Sequence, residues 1–122
     1  MEESASNKAG VDRSTLEDVH DLVQRYARLV REHFGNRVRN IWLYGSAARG
    51  DWTADSDIDV LVLLHSEEDG DMEWLIGTAY QIGLKDRHLL LQPVMLTTAE
   101  FDRLAARERR FAHDVLKEGI AA

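Results

Sequence analysis

Between residues 16 and 34 the apolar positions Leu16, Val19, Leu22, Val23, Tyr26, Leu29, Val30 and Phe34 recur at helical spacing. That period predicts an amphipathic helix with one face against a core. Ser14-Thr15-Leu16-Glu17 reads as a capping box that opens it, and Gly35 as its stop. Val38 to Tyr44 then reads as a buried strand that breaks at Gly45-Ser46, after which Ala47-Ala48-Arg49 begins a short helix. A second strand follows in Ile58, Val60, Leu61, Val62, Leu63 and Leu64, almost wholly apolar. Residues 65–71 form a charged loop without the alternating oxygen ligands of a calcium site, and Asp71 is placed to cap the next helix. That helix spans about residues 72–84, with Trp74, Leu75, Thr78, Ala79 and Ile82 inward. His88 to Leu96 reads as a third strand, where Pro93 removes a ladder donor and predicts an edge position or a bulge. Thr97-Thr98-Ala99-Glu100 is a second capping box, opening a helical region through Phe101, Leu104 and Ala105. The apolar stripe resumes at Phe111, Val115 and Leu116 and stops at Gly119. The succession predicts an α/β (α+β) fold: a small mixed β-sheet packed with helices, in a single domain over residues 14–122 behind a flexible leader of residues 1–13.

Composition narrows this. With 122 residues, of which 44% are hydrophobic, the chain reads as one domain with a real core. It has no cysteine, which removes disulfides and thiolate chemistry and agrees with a reducing cytoplasm, where we place the protein. The start, Met1-Glu2-Glu3-Ser4, is polar and acidic, unlike a signal peptide, and no apolar run reaches the length of a membrane span. A net charge of −7 argues against long DNA or RNA as partner, because proteins that grip phosphate backbones carry the opposite balance. It does not exclude a nucleotide, since a metal ion can bridge carboxylates to a triphosphate.

The candidate chemistry lies in residues 44–59, Tyr-Gly-Ser-Ala-Ala-Arg-Gly-Asp-Trp-Thr-Ala-Asp-Ser-Asp-Ile-Asp. Gly45 permits a tight turn, and the N–H groups at the following helix start, with the Ser46 hydroxyl, make a cradle for an anionic phosphate. Asp57 and Asp59 stand at the mouth of the second strand, two residues apart. Strand geometry puts both on one face with Cα atoms about 6.6–7 Å apart, so their side chains can converge on metal ions. Hard oxygen ligands of this kind suit Mg²⁺ or Mn²⁺. An Asp inside a run of Ile, Val and Leu would be expensive to bury unpaired, which argues for a role at Asp59. Arg49 either steadies the phosphates or braces the loop through Asp51 or Asp55. His20 and His33 lie off this motif and read as surface residues, His113 has no ligand-spaced companion, and Arg107-Glu108-Arg109-Arg110 reads as an exposed, ion-paired helix face.

Gly45-Ser46, then Ala48-Arg49-Gly50, then Ser56-Asp57-x-Asp59 resembles the signature of the DNA polymerase β-type nucleotidyltransferase superfamily, in particular its minimal (MNT) members. The resemblance implies Mg²⁺-dependent transfer of a nucleoside monophosphate, with ATP the default donor. It also implies Ser46 on the phosphates, Asp57 and Asp59 as catalytic metal ligands, and a HEPN-domain toxin as partner, to which the minimal member is antitoxin. Such sites ordinarily add a third carboxylate from the third strand; here Gln92 stands at that place, flanked at a distance by Asp86 and Glu100.

Two rivals follow. A catalytically weak or inactive nucleotide-binding antitoxin or regulatory subunit would act by binding its partner, as an amide at Gln92 favours. Transfer to a small molecule such as an aminoglycoside is the third reading. The chain leaves nothing over for an acceptor-holding domain, so the acceptor is either small or brought by a partner. An edge strand and an acidic surface are compatible with a homodimer or a heteromer.

Overall fold

The computed structural model describes residues 15–53 and 55–122, leaving out the side chains of residues 111, 112 and 116–118. The elements run α1 (Leu16–Phe34), β1 (Val38–Tyr44), α2 (Ser46–Arg49), β2 (Ile58–Leu64), α3 (Asp71–Ala79), β3 (Leu91–Thr97), α4 (Thr98–Arg107), α5 (Arg109–Glu118) and β4 (Ile120–Ala121). The strands lie in the order β3-β2-β1-β4. β1 is antiparallel to β2 and β4, and β2 is parallel to β3, so the sheet is mixed as the sequence predicts.

Period two along β2 sorts its side chains onto two cores. Val60, Val62 and Leu64 join Val19, Leu22, Tyr26 and Val30 of α1 and Leu75 of α3. Leu61 and Leu63 point the other way, onto Phe101 of α4 and Val115 of α5. A strand covered on both faces must be apolar at every position, and β2 is buried at every position except Asp59. Tyr26 is fully buried, and its hydroxyl donates to the Leu75 carbonyl at 2.9 Å, tying α1 to α3. Pro93 is in register with Val60 on β3, an edge strand, which is the placement a missing ladder N–H favours.

Several sequence expectations move. The capping box of α1 is built by Thr15 and Asp18, one residue later than expected: Asp18 N–H donates to the Thr15 hydroxyl and Thr15 N–H to the Asp18 carboxylate. Aspartate fills the reciprocal role there as well as Glu17 would have, so the motif shifts without loss. Ser14 and the leader of residues 1–13 lie outside the described residues. The Thr97/Glu100 box forms where expected. Asp71 is no N-cap. Its carboxylate accepts two hydrogen bonds from the Arg37 guanidinium, at 2.7 and 3.1 Å, and one from Glu68 N–H at 2.7 Å.

β3 starts at Leu91 and not at His88, because α3 runs on through a π-helical turn, Tyr80–Lys85, and the chain reverses at His88 with φ 59°. Gly83 lets the chain double back so closely: a Cβ there would lie 2.8 Å from the Leu89 carbonyl oxygen. β4 was not anticipated, since two residues after Gly119 carry no periodicity to read. Trp74 is half-buried against the first core, its ring stacked on the exposed His33 at 4.0 Å and 9°.

Candidate active site

The Gly45-Ser46 turn and the Asp57/Asp59 mouth come together because β1 and β2 are antiparallel neighbours. Tyr44, the last residue of β1, pairs with Asp59, the second of β2, so the turn leaving one strand lies against the start of the other. Gly45 has φ +77°, and a Cβ at this position would sit 2.5 Å from Asp59 Oδ2. Only glycine lets the turn and the carboxylate approach this closely. The turn then winds into α2. Gly45 carbonyl accepts from Ala48 and Arg49 N–H, and Ser46 carbonyl from Gly50 and Asp51 N–H. The donors so short a helix can turn toward an anion are therefore the first two amides, of Ser46 and Ala47, beside the Ser46 hydroxyl.

Opposite the turn, the loop that leads into β2 delivers Asp57. Trp52, 92% buried, is its anchor: the indole N–H donates to the Ser56 carbonyl at 3.0 Å. Ser56 N–H donates to the Thr53 carbonyl at 2.9 Å, and the Thr53 and Ser56 hydroxyls meet at 3.1 Å. Trp52 passes unremarked in the sequence; a lone tryptophan in an otherwise polar loop is the signal that could have marked it.

Period two places Asp57 and Asp59 on the face shared by Leu61 and Leu63, the α4/α5 side of the sheet. Asp57 is exposed and Asp59 half-buried. Burial holds the Asp59 carboxyl above the usual carboxylate range, the Asp57 charge pushes it the same way, and Arg49 opposes both. Arg49 also reaches Asp51, Nε to Oδ2 at 3.5 Å, both side chains well exposed, so it braces the loop while its charge acts on Asp59. The Tyr44 hydroxyl, half-buried in the same row, is raised by burial and then by Asp59.

Across the next strand boundary, Asp59 is in register with Gln92. The flanking carboxylates are elsewhere. Glu100 is tied into its capping box, at the end of β3 where Thr97 pairs with Leu64, and Asp86 meets Arg25 at 3.7 Å on the surface. Among the described residues no group of three or more His, Cys, Asp or Glu side chains is arranged to hold a metal ion. Two carboxylates remain. Their donor chemistry fits Mg²⁺ or Mn²⁺, which commonly take one or two carboxylates and complete their shells with water and substrate phosphates. The repulsion between Asp57 and Asp59, which Arg49 offsets only in part, is what a divalent cation would neutralise.

Comparison with known proteins bears on this geometry. "Protein adenylyltransferase MntA" of Thermococcus cleftensis is 42% identical over 48 residues, 39% of this chain and 46% of its own length. A Methanocaldococcus jannaschii protein, provisionally named a protein adenylyltransferase, is 32% identical over 63 residues, 52% of this chain and 59% of its own length. The chain thus spans about half the length of the curated relatives it matches. A crystal structure of a toxin–antitoxin with AMP-PNP superposes with a TM-score of 0.53 and 19% identity, over 80% of this chain and 69% of that one, a likeness of fold. A family model described as "Nucleotidyltransferase domain" matches residues 23–117. Because that match runs from the middle of α1 almost to the end of α5, taking in the Gly45-Ser46 turn, Asp57, Asp59 and Gln92, the chain belongs to the nucleotidyltransferase domain family.

Proposed function

We propose that this chain transfers a nucleoside monophosphate, AMP from ATP, to a hydroxyl group on a partner protein. The observation that carries the reading is the approach of the Asp59 carboxylate to Gly45, so close that an added Cβ would not fit, which brings the turn and the acidic pair into one place. Ser46 and the first amides of α2 would hold the β- and γ-phosphates. Asp57 and Asp59 would hold Mg²⁺ or Mn²⁺, which supplies charge neutralisation to a triphosphate that the bare carboxylates would repel. In the reaction the acceptor oxygen bonds to the α-phosphorus as the bond from that phosphorus to the bridging oxygen breaks. Pyrophosphate leaves, and the hydroxyl proton passes to solvent, since Gln92 cannot take it.

That the acceptor is a protein is supported by the name of the Thermococcus relative, and an antitoxin role by the toxin–antitoxin fold match. The partner we propose is a HEPN-type toxin whose tyrosine hydroxyl receives AMP and which is thereby neutralised. The reading also places the protein in the cytoplasm, as the absence of cysteine favours; no helix among the described residues is long and apolar enough to cross a membrane. The test is incubation with α-labelled ATP, Mg²⁺ and the co-purified partner, followed by intact-mass measurement. A gain of one AMP on the partner, absent with Asp57→Asn/Asp59→Asn, supports the reading. A partner left unmodified but still inhibited by both forms would establish the second reading, a nucleotide-binding antitoxin that acts by contact, which Gln92 favours.

A further inference from the structure

We infer that Gln92 is the neutral third corner of this metal site, so that the chain captures its divalent cation together with the triphosphate and not before it. The inference rests on the nucleotidyltransferase reading of the cleft and concerns the order in which the cleft fills.

Parallel pairing puts Gln92 directly beside Asp59, about 4.8 Å away along the ladder direction, with side chains on the same face. The alternation of β3 agrees independently: Val94 and Leu96 point into the α4/α5 core, so Gln92, two residues before Val94, shares the face that carries Asp59. Leu91 and Pro93 on either side are buried while Gln92 is exposed. β3 is an edge strand, so among the described residues no further strand bonds to it on its far side. The side chain therefore borders the cleft without serving the core.

Its chemistry is specific. An amide offers one carbonyl oxygen, a hard neutral donor for a cation or its water, and an NH₂ with two donors for a phosphate oxygen. A carboxylate there would add a negative charge, hold the cation more tightly in the empty cleft, and repel the phosphate. With Asp86 and Glu100 engaged elsewhere, the charge of the site stays at two carboxylates, and the remaining negative ligands must arrive on the nucleotide. Metal and triphosphate thus bind as one unit, and the cleft without nucleotide holds its cation weakly.

The experiment measures Mn²⁺ binding to the full chain by electron paramagnetic resonance and calorimetry, with and without AMP-PNP, for the native chain, Gln92→Glu and Gln92→Leu. The native chain should bind Mn²⁺ at least about tenfold more tightly with AMP-PNP than without it. Gln92→Glu should raise the affinity for Mn²⁺ alone by about tenfold, the effect of one added charge near the cation at a partly solvated site, and narrow that gap. Gln92→Leu should weaken capture of Mn²⁺ with AMP-PNP about tenfold and leave the thermal melt unchanged. If Gln92→Glu folds normally, by circular dichroism, but binds Mn²⁺ as the native chain does, Gln92 does not face the cation and the inference is overturned. It is also overturned if the native chain binds Mn²⁺ equally well with and without nucleotide. If AMP-PNP with Mn²⁺ does not bind the native chain at all, the nucleotidyltransferase reading itself falls, and this inference with it.

Discussion

The two ends of β2 carry carboxylates in opposite states. Beyond its C-terminal end, Asp71 is 5% exposed and bracketed by the Arg37 guanidinium and the Glu68 amide, which hold its carboxyl below the usual carboxylate range. At its N-terminal end, Asp59 is held above that range by burial and by its neighbour Asp57, with only the exposed Arg49 in opposition. A chain that satisfies one buried carboxylate so fully has the means to satisfy another. Setting two together at the mouth, against a glycine that permits close approach, leaves a negative charge that Arg49 offsets only in part, which is what the proposed function requires. The first pair is architecture: it ties the residue before β1 to the start of α3 across the open end of the β1/β2 hairpin. The second costs stability in the free protein, which on the proposed function would be returned on binding a cation with phosphates.

Substitutions at the two ends should therefore part company, and the widest separation comes from Asp57→Asn with Asp59→Asn. Binding of ATP with Mg²⁺ should fall about a thousandfold, comparable to the loss of several electrostatic contacts in a transfer site, while stability to urea stays within about 0.5 kcal/mol of the native chain or rises. Calorimetry and a denaturant melt on the same preparation decide it. A large loss of stability would show that the pair is structural after all. At the other end Asp71→Asn should do the reverse. Leaving the Arg37 guanidinium, itself partly solvated, without its anion should cost about 2–3 kcal/mol in the melt. Nucleotide affinity of the folded protein should be unchanged.

The difference between the two ends was only half legible in the sequence. The mouth could be read because its residues are close in the chain and each is unusual locally: Gly-Ser at the end of an apolar run, Asp at alternate positions opening another. The far end could not, because Arg37 and Asp71 are brought together by the β1/β2 hairpin, and nothing local distinguishes Asp71 from a helix cap. The same limit explains β4, whose two residues pair with Trp42 and Leu43 only because α5 returns the chain to that edge. The π-helical turn at Tyr80–Lys85 depends likewise on Gly83 meeting the backbone at Leu89. Conversely, α1, β1 and β2 were readable in full, since their burial patterns follow periods of 3.6 and 2, or an unbroken apolar run, over seven residues or more. The placement of Gln92 is intermediate: its strand was legible, but the register that sets it beside Asp59 required the fold.

Gly45→Ala sharpens the comparison from the backbone side. The substitution forces a Cβ against Asp59 Oδ2 at a residue whose φ is +77°. The strain should lower stability by about 1–2 kcal/mol. It should also move the Asp59 carboxylate, so nucleotide affinity falls with it. At Gly35, where φ is +58° but nothing lies within 4 Å of an added Cβ, alanine should cost a similar or smaller amount of stability and leave nucleotide binding untouched. The melt measures the shared conformational penalty, and calorimetry the part that belongs to the cleft.

The smallest effect is a pH dependence at the architectural end, isolated from that of Asp59 by comparison with a variant that keeps Asp59. Because the Asp71 carboxyl titrates lower in the folded chain than in the unfolded one, the unfolded state binds its proton first as pH falls. The stability contributed by the Arg37 pair is therefore fully present above the ordinary aspartate value of about 4 and is lost as the pH drops toward the lowered folded value. Urea melts of the native chain and of Asp71→Asn, taken from pH 7 downward, should run parallel to about pH 5 and converge below it, since the variant has no such proton to take up. Curves that stay parallel to the acid limit would mean that Asp71 titrates as an ordinary surface carboxylate, and the contrast between the two ends of β2 would lose its electrostatic half.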